Sequence, residues 1–192
     1  QIIEPLLRNS ADAVASYDAP RIVERLLRLA LPVTYVWISG FYVFFHVWLN
    51  LLAELLRFGD RQFYKAWWNA VTFDEYCRLW NMPVHHWIVR HVYFPALRAG
   101  RSKTTCGILA FTVSAVFHEV VIALPLRSVH MPIAFLAMMA QVPLVSVSAE
   151  INKRTRGTAF DQLGNYLFWI SFCFLGQPLA ILIYYHHVIA GA

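Results

Sequence analysis

The chain of 192 residues is 59% hydrophobic and 16% aromatic, with only 14% of residues charged, where a soluble domain carries about a quarter. Several apolar runs approach the roughly 20 residues that cross a bilayer. They exclude an ordinary soluble domain and predict an all-α polytopic membrane protein of about four transmembrane helices. The net charge of +5 is what basic residues flanking apolar spans produce, so no nucleic-acid partner is expected.

Residues 1–28 are mixed in charge, and Pro20 precedes Arg21, Glu24, Arg25 and Arg28 among leucines. This pattern predicts a short amphipathic helix leading to the membrane. No signal peptide is recognisable, and a chain beginning with Gln reads as a piece of a longer protein. The first span is expected from Leu29 to Leu56. It is apolar except for Tyr42, His46, Asn50 and Glu54, whose spacing puts them on one helix face. That face is expected to look into protein.

Residues 57–103 hold eight of the sixteen Lys and Arg together with several Trp and Tyr, and read as an interfacial loop within a single membrane-embedded region, 1–192. Pro83 can start a helix. From there to Leu97, Trp87, Ile88, Val92 and Phe94 alternate with His85, His86, Arg90 and His91, an amphipathic pattern suited to the headgroup plane.

A second span is expected from Thr104 to Leu126, a third from Pro132 to Ala149, and a fourth from Gly164 to Ile189 that Gly176-Gln177-Pro178 interrupts. Basic hinges separate them, with Arg127 in one and Lys153, Arg154 and Arg156 in the next. Loops 57–103 and 151–156 together carry eleven of the sixteen basic residues, which predicts that this side is cytosolic. Cys77, Cys106 and Cys173 fit neither a disulfide framework nor a CxxC metal site.

The chemistry-bearing position lies in the second span, where Ser114-Ala115-Val116-Phe117-His118-Glu119 puts an imidazole and a carboxylate in an apolar helix. His118 is roughly 20 Å into that span at 1.5 Å rise per residue. A charge at the bilayer centre costs about 2.5–3.5 kcal/mol on insertion scales, so such residues face a cavity or a partner. His118 reads either as interhelical glue or as a general base that desolvation keeps neutral. Ser114 shares its face one turn earlier, whereas Glu119 points about a quarter-turn away. A zinc-protease reading fails, because HExxH requires His where this chain has Ile122. His85, His86 and His91 lack a nearby carboxylate or cysteine at ligand spacing, so no metal site is expected. Phe63-Tyr64-Lys65-Ala66-Trp67-Trp68-Asn69 and Trp80-Asn81-Met82-Pro83-Val84-His85 read as an aromatic belt or a ligand-binding loop. Gln141 and Gln177 are amides at membrane depth, suited to backbone repair in a broken helix or to a polar substrate group.

FYKAWWN resembles the FYxDWWN signature of the sterol and diacylglycerol branch of the membrane-bound O-acyltransferases. WNMPVH, SAVFHE, MMAQVPL and GQPLAILIYYH follow in the order found in its type 1 diacylglycerol acyltransferases, with plant- or algal-like wording. The resemblance covers about residues 21–189. It implies a multi-pass protein of the endoplasmic reticulum membrane that makes triacylglycerol from acyl-CoA and diacylglycerol without a cofactor, acyl-CoA being a co-substrate. The full-length protein is expected to be a homo-oligomer. His118 is then the catalytic base, with Asn81 beside it in catalysis and His85 by the thioester. Ser114, Glu119, Met138, Gln141 and Gln177 contact substrate in the chamber. Phe63, Tyr64, Trp67, Trp68, Asn69 and Trp80 help bind acyl-CoA. Ala66 replaces the signature Asp, His86 stands where Lys is common, and His187 where Asp is usual. A sterol O-acyltransferase and a non-enzymatic helical bundle are the alternative readings.

Overall fold

The computed structural model describes residues 2–126 and 132–186, and these are mostly helical with no strand among them. The expected hinge at Arg127, the departure at His187 and the end of the fourth span lie outside the described residues. The helices in chain order are α1 (Ile3–Arg8), α2 (Ala11–Ala15), α3 (Ala19–Leu55), α4 (Phe73–Leu79), α5 (residues 82–98), α6 (Lys103–Leu126), α7 (Ile133–Thr155) and α8 (Leu163–Tyr184). Among the described residues four are long and apolar enough to cross a membrane: α3, α6, α7 and α8.

Two expected boundaries move, each for a local reason. The first span begins at Ala19, ten residues before Leu29, because Asp18 caps it: the Arg21 amide donates to Oδ1 at 3.3 Å, and Pro20 sits in the first turn. The supposed amphipathic lead-in is therefore the first turns of α3. The third span continues past Ala149 to Thr155, so the basic hinge is largely helix. Glu150 and Arg154 pair at 2.7 Å one turn apart, and Lys153 and Arg154 lie at the end of the helix where cations are favoured.

The backbone groups into two compact units. In the first, residues up to Leu51 and from Trp169 onward, Leu7 of α1, Leu26, Leu29 and Val33 of α3 and Leu182 of α8 form a buried core. The fully buried Ser10 ties this unit together, its Oγ lying 2.7 Å from His186 Nε2 while donating to the Leu7 carbonyl. Trp37 meets Phe172 edge-on at 4.8 Å.

The polar stripe of the first span does not look into protein within the described residues. Tyr42 is 54% exposed, and His46 and Glu54 are exposed as well. Residues Tyr42–Trp48 form a wide π turn, and the stripe bonds along its own helix and to the segment that follows it. The Tyr42 and His46 rings stack at 4.9 Å, Asn50 Nδ2 donates to the His46 carbonyl at 2.6 Å, and Glu54 pairs with Arg61 at 2.7 Å.

In the second unit, Leu52–Phe168, the 57–103 segment is built rather than loose. Lys65 N–H donates to the Leu79 carbonyl at 2.8 Å and Met82 N–H to the Phe63 carbonyl at 3.0 Å, pinning the tryptophan-rich strand of chain to the junction of α4 and α5. Thr72 caps α4 by accepting from the Glu75 amide, and Glu75 Oε2 accepts from the Val71 amide at 3.0 Å, a reciprocal cap. The Phe73 amide donates to Ser148 Oγ on α7 at 3.2 Å. Near the start of α8, Asn165 Nδ2 donates to the Trp68 and Ala70 carbonyls at 2.9 Å each, and Gly164 packs directly on the Val71 carbonyl.

Candidate active site

His118 lies mid-way along α6, half-buried. Its Nδ1 is 2.8 Å from the Ser114 carbonyl oxygen and 3.5 Å from Ser114 Oγ. A carbonyl only accepts, so Nδ1 carries the proton and donates it. In the neutral ring Nε2 then bears the lone pair, and it has no hydrogen-bond partner among the described residues. The four-residue spacing of Ser114 and His118 thus yields a ring anchored on one nitrogen and basic on the other.

Glu119 turns away from His118, as adjacent helix positions require. Its Oε2 accepts the backbone N–H of Phe135 at 2.9 Å, near the start of α7. Seven residues earlier on α6, Thr112 Oγ1 lies 3.9 Å from Met139 Sδ. The two contacts fix α6 and α7 as an antiparallel pair with Ser114 roughly level with Met138. Gln141, at the turn after Met139, points its amide Nε2 at Met138 Sδ, 3.5 Å away. Ser114, His118, Met138 and Gln141 therefore share one helix pair.

α5 reaches this pair through residues that the sequence pattern presents only as the apolar side of an interfacial helix. Trp87 meets Phe117 edge-on at 6.1 Å, next in sequence to His118. Trp87 and Phe117 are absent from the sequence-derived site; the signal was the apolar ridge of α5, which contacts a helix rather than lipid alone at this point. His85, two residues from Trp87, is on a different side of α5. It is half-buried beside His86, with ring centres 5.9 Å apart. Burial, then His86 and Arg78, hold its pKa below the usual value. Asn81 caps α5, its Oδ1 accepting the Val84 amide at 3.3 Å; its Nδ2 is left to face other groups.

The tryptophan-rich residues separate into two sets. Phe63 and Trp67 are buried, at 8% and 3% exposure. The Trp67 ring sits edge-on to Tyr76 at 5.9 Å, Tyr76 packs on Phe168 at 5.0 Å, and Trp80 stacks on Tyr76 at 6.0 Å. This aromatic core supports the segment from beneath. Burial pushes the Tyr76 hydroxyl far above its ordinary pKa, and the neighbouring Cys77 thiol up to about 12, with Asp74 adding to the effect. Trp68 and Asn69 are exposed and Tyr64 is half-buried beside Trp68, so these are the members of the motif positioned to touch a ligand. Ala66 occupies the N-cap of the short turn Trp67–Asn69 and supplies no side-chain cap there.

Gln177 belongs to the first unit. It starts the last helical stretch of α8, Gln177–Tyr184, after the wide π turn Ser171–Gly176 and beside the buried Pro178. The expected interruption is therefore a change of helix type, not a gap. Among the described residues no group of three or more His, Cys, Asp or Glu can hold a metal. A polar cleft of about 360 Å³ opens between α4 and the end of α7, lined by Glu75, Arg78, Asn152 and Arg156 among others. None of the sequence-derived site residues lines it.

The sequence model of the membrane-bound O-acyltransferase family matches residues 9–186. The chain is 50% identical over 186 residues to diacylglycerol O-acyltransferase 1C of Glycine max, covering 97% of this chain and 35% of that protein. It is 52% identical over 186 residues to diacylglycerol O-acyltransferase 1 of Arabidopsis thaliana, covering 97% and 35%. It is 45% identical over 190 residues to diacylglycerol O-acyltransferase 1 of Dictyostelium discoideum, covering 98% and 29%. The chain spans about a third of the length of these curated relatives. Four apolar helices and a family match that begins just after α1 and runs past the end of α8 make the chain a multi-pass membrane protein that belongs to the membrane-bound O-acyltransferase family.

Proposed function

We propose that this chain supplies the catalytic, membrane-embedded part of an acyl-CoA:diacylglycerol O-acyltransferase, with His118 as its general base. The observation that supports this most directly is the hydrogen bond from His118 Nδ1–H to the Ser114 carbonyl, which leaves Nε2 as the proton acceptor at membrane depth. The names of the relatives support diacylglycerol as the acyl acceptor.

In this reaction His118 Nε2 takes the proton of the free diacylglycerol hydroxyl as that oxygen attacks the thioester carbonyl of acyl-CoA. The new C–O ester bond forms, the C–S bond breaks, and the departing thiolate recovers the proton from the imidazolium. General-base assistance of this kind contributes about 10²–10⁴-fold. Asn81 Nδ2 and the Gln141 amide are the donors suited to the developing oxyanion, and the apolar walls of α6 and α7 keep out the water that would hydrolyse the thioester. Acyl-CoA approaches from the cytosolic side that carries residues 57–103, where Trp68, Asn69 and Tyr64 are its contacts, while diacylglycerol enters from the bilayer. The protein works in the endoplasmic reticulum membrane as a homo-oligomer of the full-length chain and needs no cofactor.

The test is triacylglycerol formation by the full-length protein in membranes, with His118→Ala against wild type and with diacylglycerol and a sterol as competing acceptors. The expected result is loss of about 10²-fold or more in the variant and preference for diacylglycerol. Near-normal activity of His118→Ala would sink the role of the base, and preference for sterol would reassign the acceptor.

A further inference from the structure

Glu119 follows the proposed base in sequence, and its carboxylate has a partner other than the substrate contact that the resemblance implies. An intramembrane carboxylate is costly unless it meets a partner, and here the partner is a backbone amide sixteen residues away on the neighbouring helix. Phe135 is the third residue of α7. The first amides of a helix have no partner within it and need an acceptor from elsewhere. In hydrocarbon no water can supply that acceptor. The 2.9 Å bond from Phe135 N–H to Glu119 Oε2 satisfies both groups at once. It also sets the level at which α7 lies along α6.

We propose that Glu119 is a positioning residue: by holding the Phe135 amide it fixes the height of α7, and with it Met138 and Gln141, against His118. Met138 is one turn beyond Phe135 and Gln141 nearly two, so any slip of α7 along α6 displaces both relative to the ring. The bond needs an acceptor oxygen, not a negative charge. Gln can replace Glu, and Ala cannot. This inference rests on the functional reading above for its kinetic consequence, but the bond itself can be examined without activity.

The experiment compares wild type, Glu119→Gln and Glu119→Ala in the full-length protein in lipid nanodiscs. It measures kcat and KM for acyl-CoA, and amide hydrogen exchange of the segment Ile133–Met139. A displaced catalytic geometry costs about 10–100-fold, so Glu119→Ala should lose that much in kcat with little change in KM, and its Ile133–Met139 amides should exchange faster. Glu119→Gln should keep wild-type protection and lose far less of kcat than Glu119→Ala. A Gln variant as impaired as the Ala variant would show that the charge itself is used, and unchanged exchange in Glu119→Ala would show that no clamp exists; either overturns the proposal. If Glu119→Ala does not accumulate, the Gln variant decides alone, through its kcat and protection. If the wild-type protein makes no triacylglycerol, the functional reading falls, and exchange in the two variants still decides the clamp.

Discussion

Asn165 and Trp68 are 97 residues apart in sequence, yet the Asn165 amide donates to the Trp68 carbonyl at 2.9 Å and, with the same nitrogen, to the Ala70 carbonyl. One side chain at the start of α8 thus holds the middle and the far end of the short turn that presents Trp68 and Asn69. Asn165→Ala leaves two carbonyls without their donor, at a cost of about 1–3 kcal/mol where they are shielded from water. The expected result is a lower melting temperature and a raised KM for acyl-CoA with kcat little changed, read by thermal unfolding in detergent and by steady-state assay.

Gly164 stands against the Val71 carbonyl with no room for a Cβ. A methyl there meets backbone, which cannot rotate away, so Gly164→Ala must move α8 or the 70–72 segment, and overpacking of this kind costs about 1–3 kcal/mol. The variant should lose at least as much stability as Asn165→Ala in the same unfolding experiment. Combined, the two should be less than additive, because they share the segment they hold.

Ala66 lacks the side chain that its position would use. A carboxylate at this N-cap can accept an amide of the turn Trp67–Asn69, and replacing a non-capping residue with Asp at such a site is worth about 0.5–2 kcal/mol. Ala66→Asp should therefore raise the melting temperature and slow proteolysis within residues 60–70. Unaltered cleavage would mean that the turn is already held as firmly by Asn165 and the Phe63 and Lys65 backbone bonds.

His85 gives the fold a dependence on acidity with a definite sign. Its folded pKa is lowered from 6.5 by burial, then by His86 and Arg78, so the unfolded chain binds its proton first as the pH falls. The stability this neutral ring contributes is complete above the unfolded value and is lost as pH drops through the folded one. Thermal stability should decline on acidification below 6.5 more steeply in wild type than in His85→Gln. Parallel curves would show that other groups set the slope.

The four spans were legible because apolar runs of bilayer length have few alternatives, and the Ser114–His118 pair was legible because a four-residue spacing on a helix is a contact. The partner of Glu119 was not, since Phe135 is brought to it by the packing of two helices and contributes only a backbone amide. Nor could the tryptophan-rich motif be divided from its letters: Trp67 and Trp68 are adjacent and chemically identical, and only the Tyr76 and Phe168 rings beneath one of them make it core. The end of α7 was misjudged because Glu150, Lys153 and Arg154 look like a hinge by polarity, while their spacing and signs suit the last turn of a helix leaving the apolar layer.

The bond between His118 and the Ser114 carbonyl also settles the ring's handedness. Rotating the imidazole by half a turn would set a carbon-bound hydrogen against that carbonyl and swing the protonated nitrogen to the opposite edge, so the two orientations are far from equivalent. A mid-helix carbonyl ordinarily serves only the amide four residues on; this one also serves as a stop for the side chain attached there. The catalyst proposed here consequently needs no substrate to orient it. Alkylating reagents that reach the ring are expected to mark Nε2 and spare Nδ1.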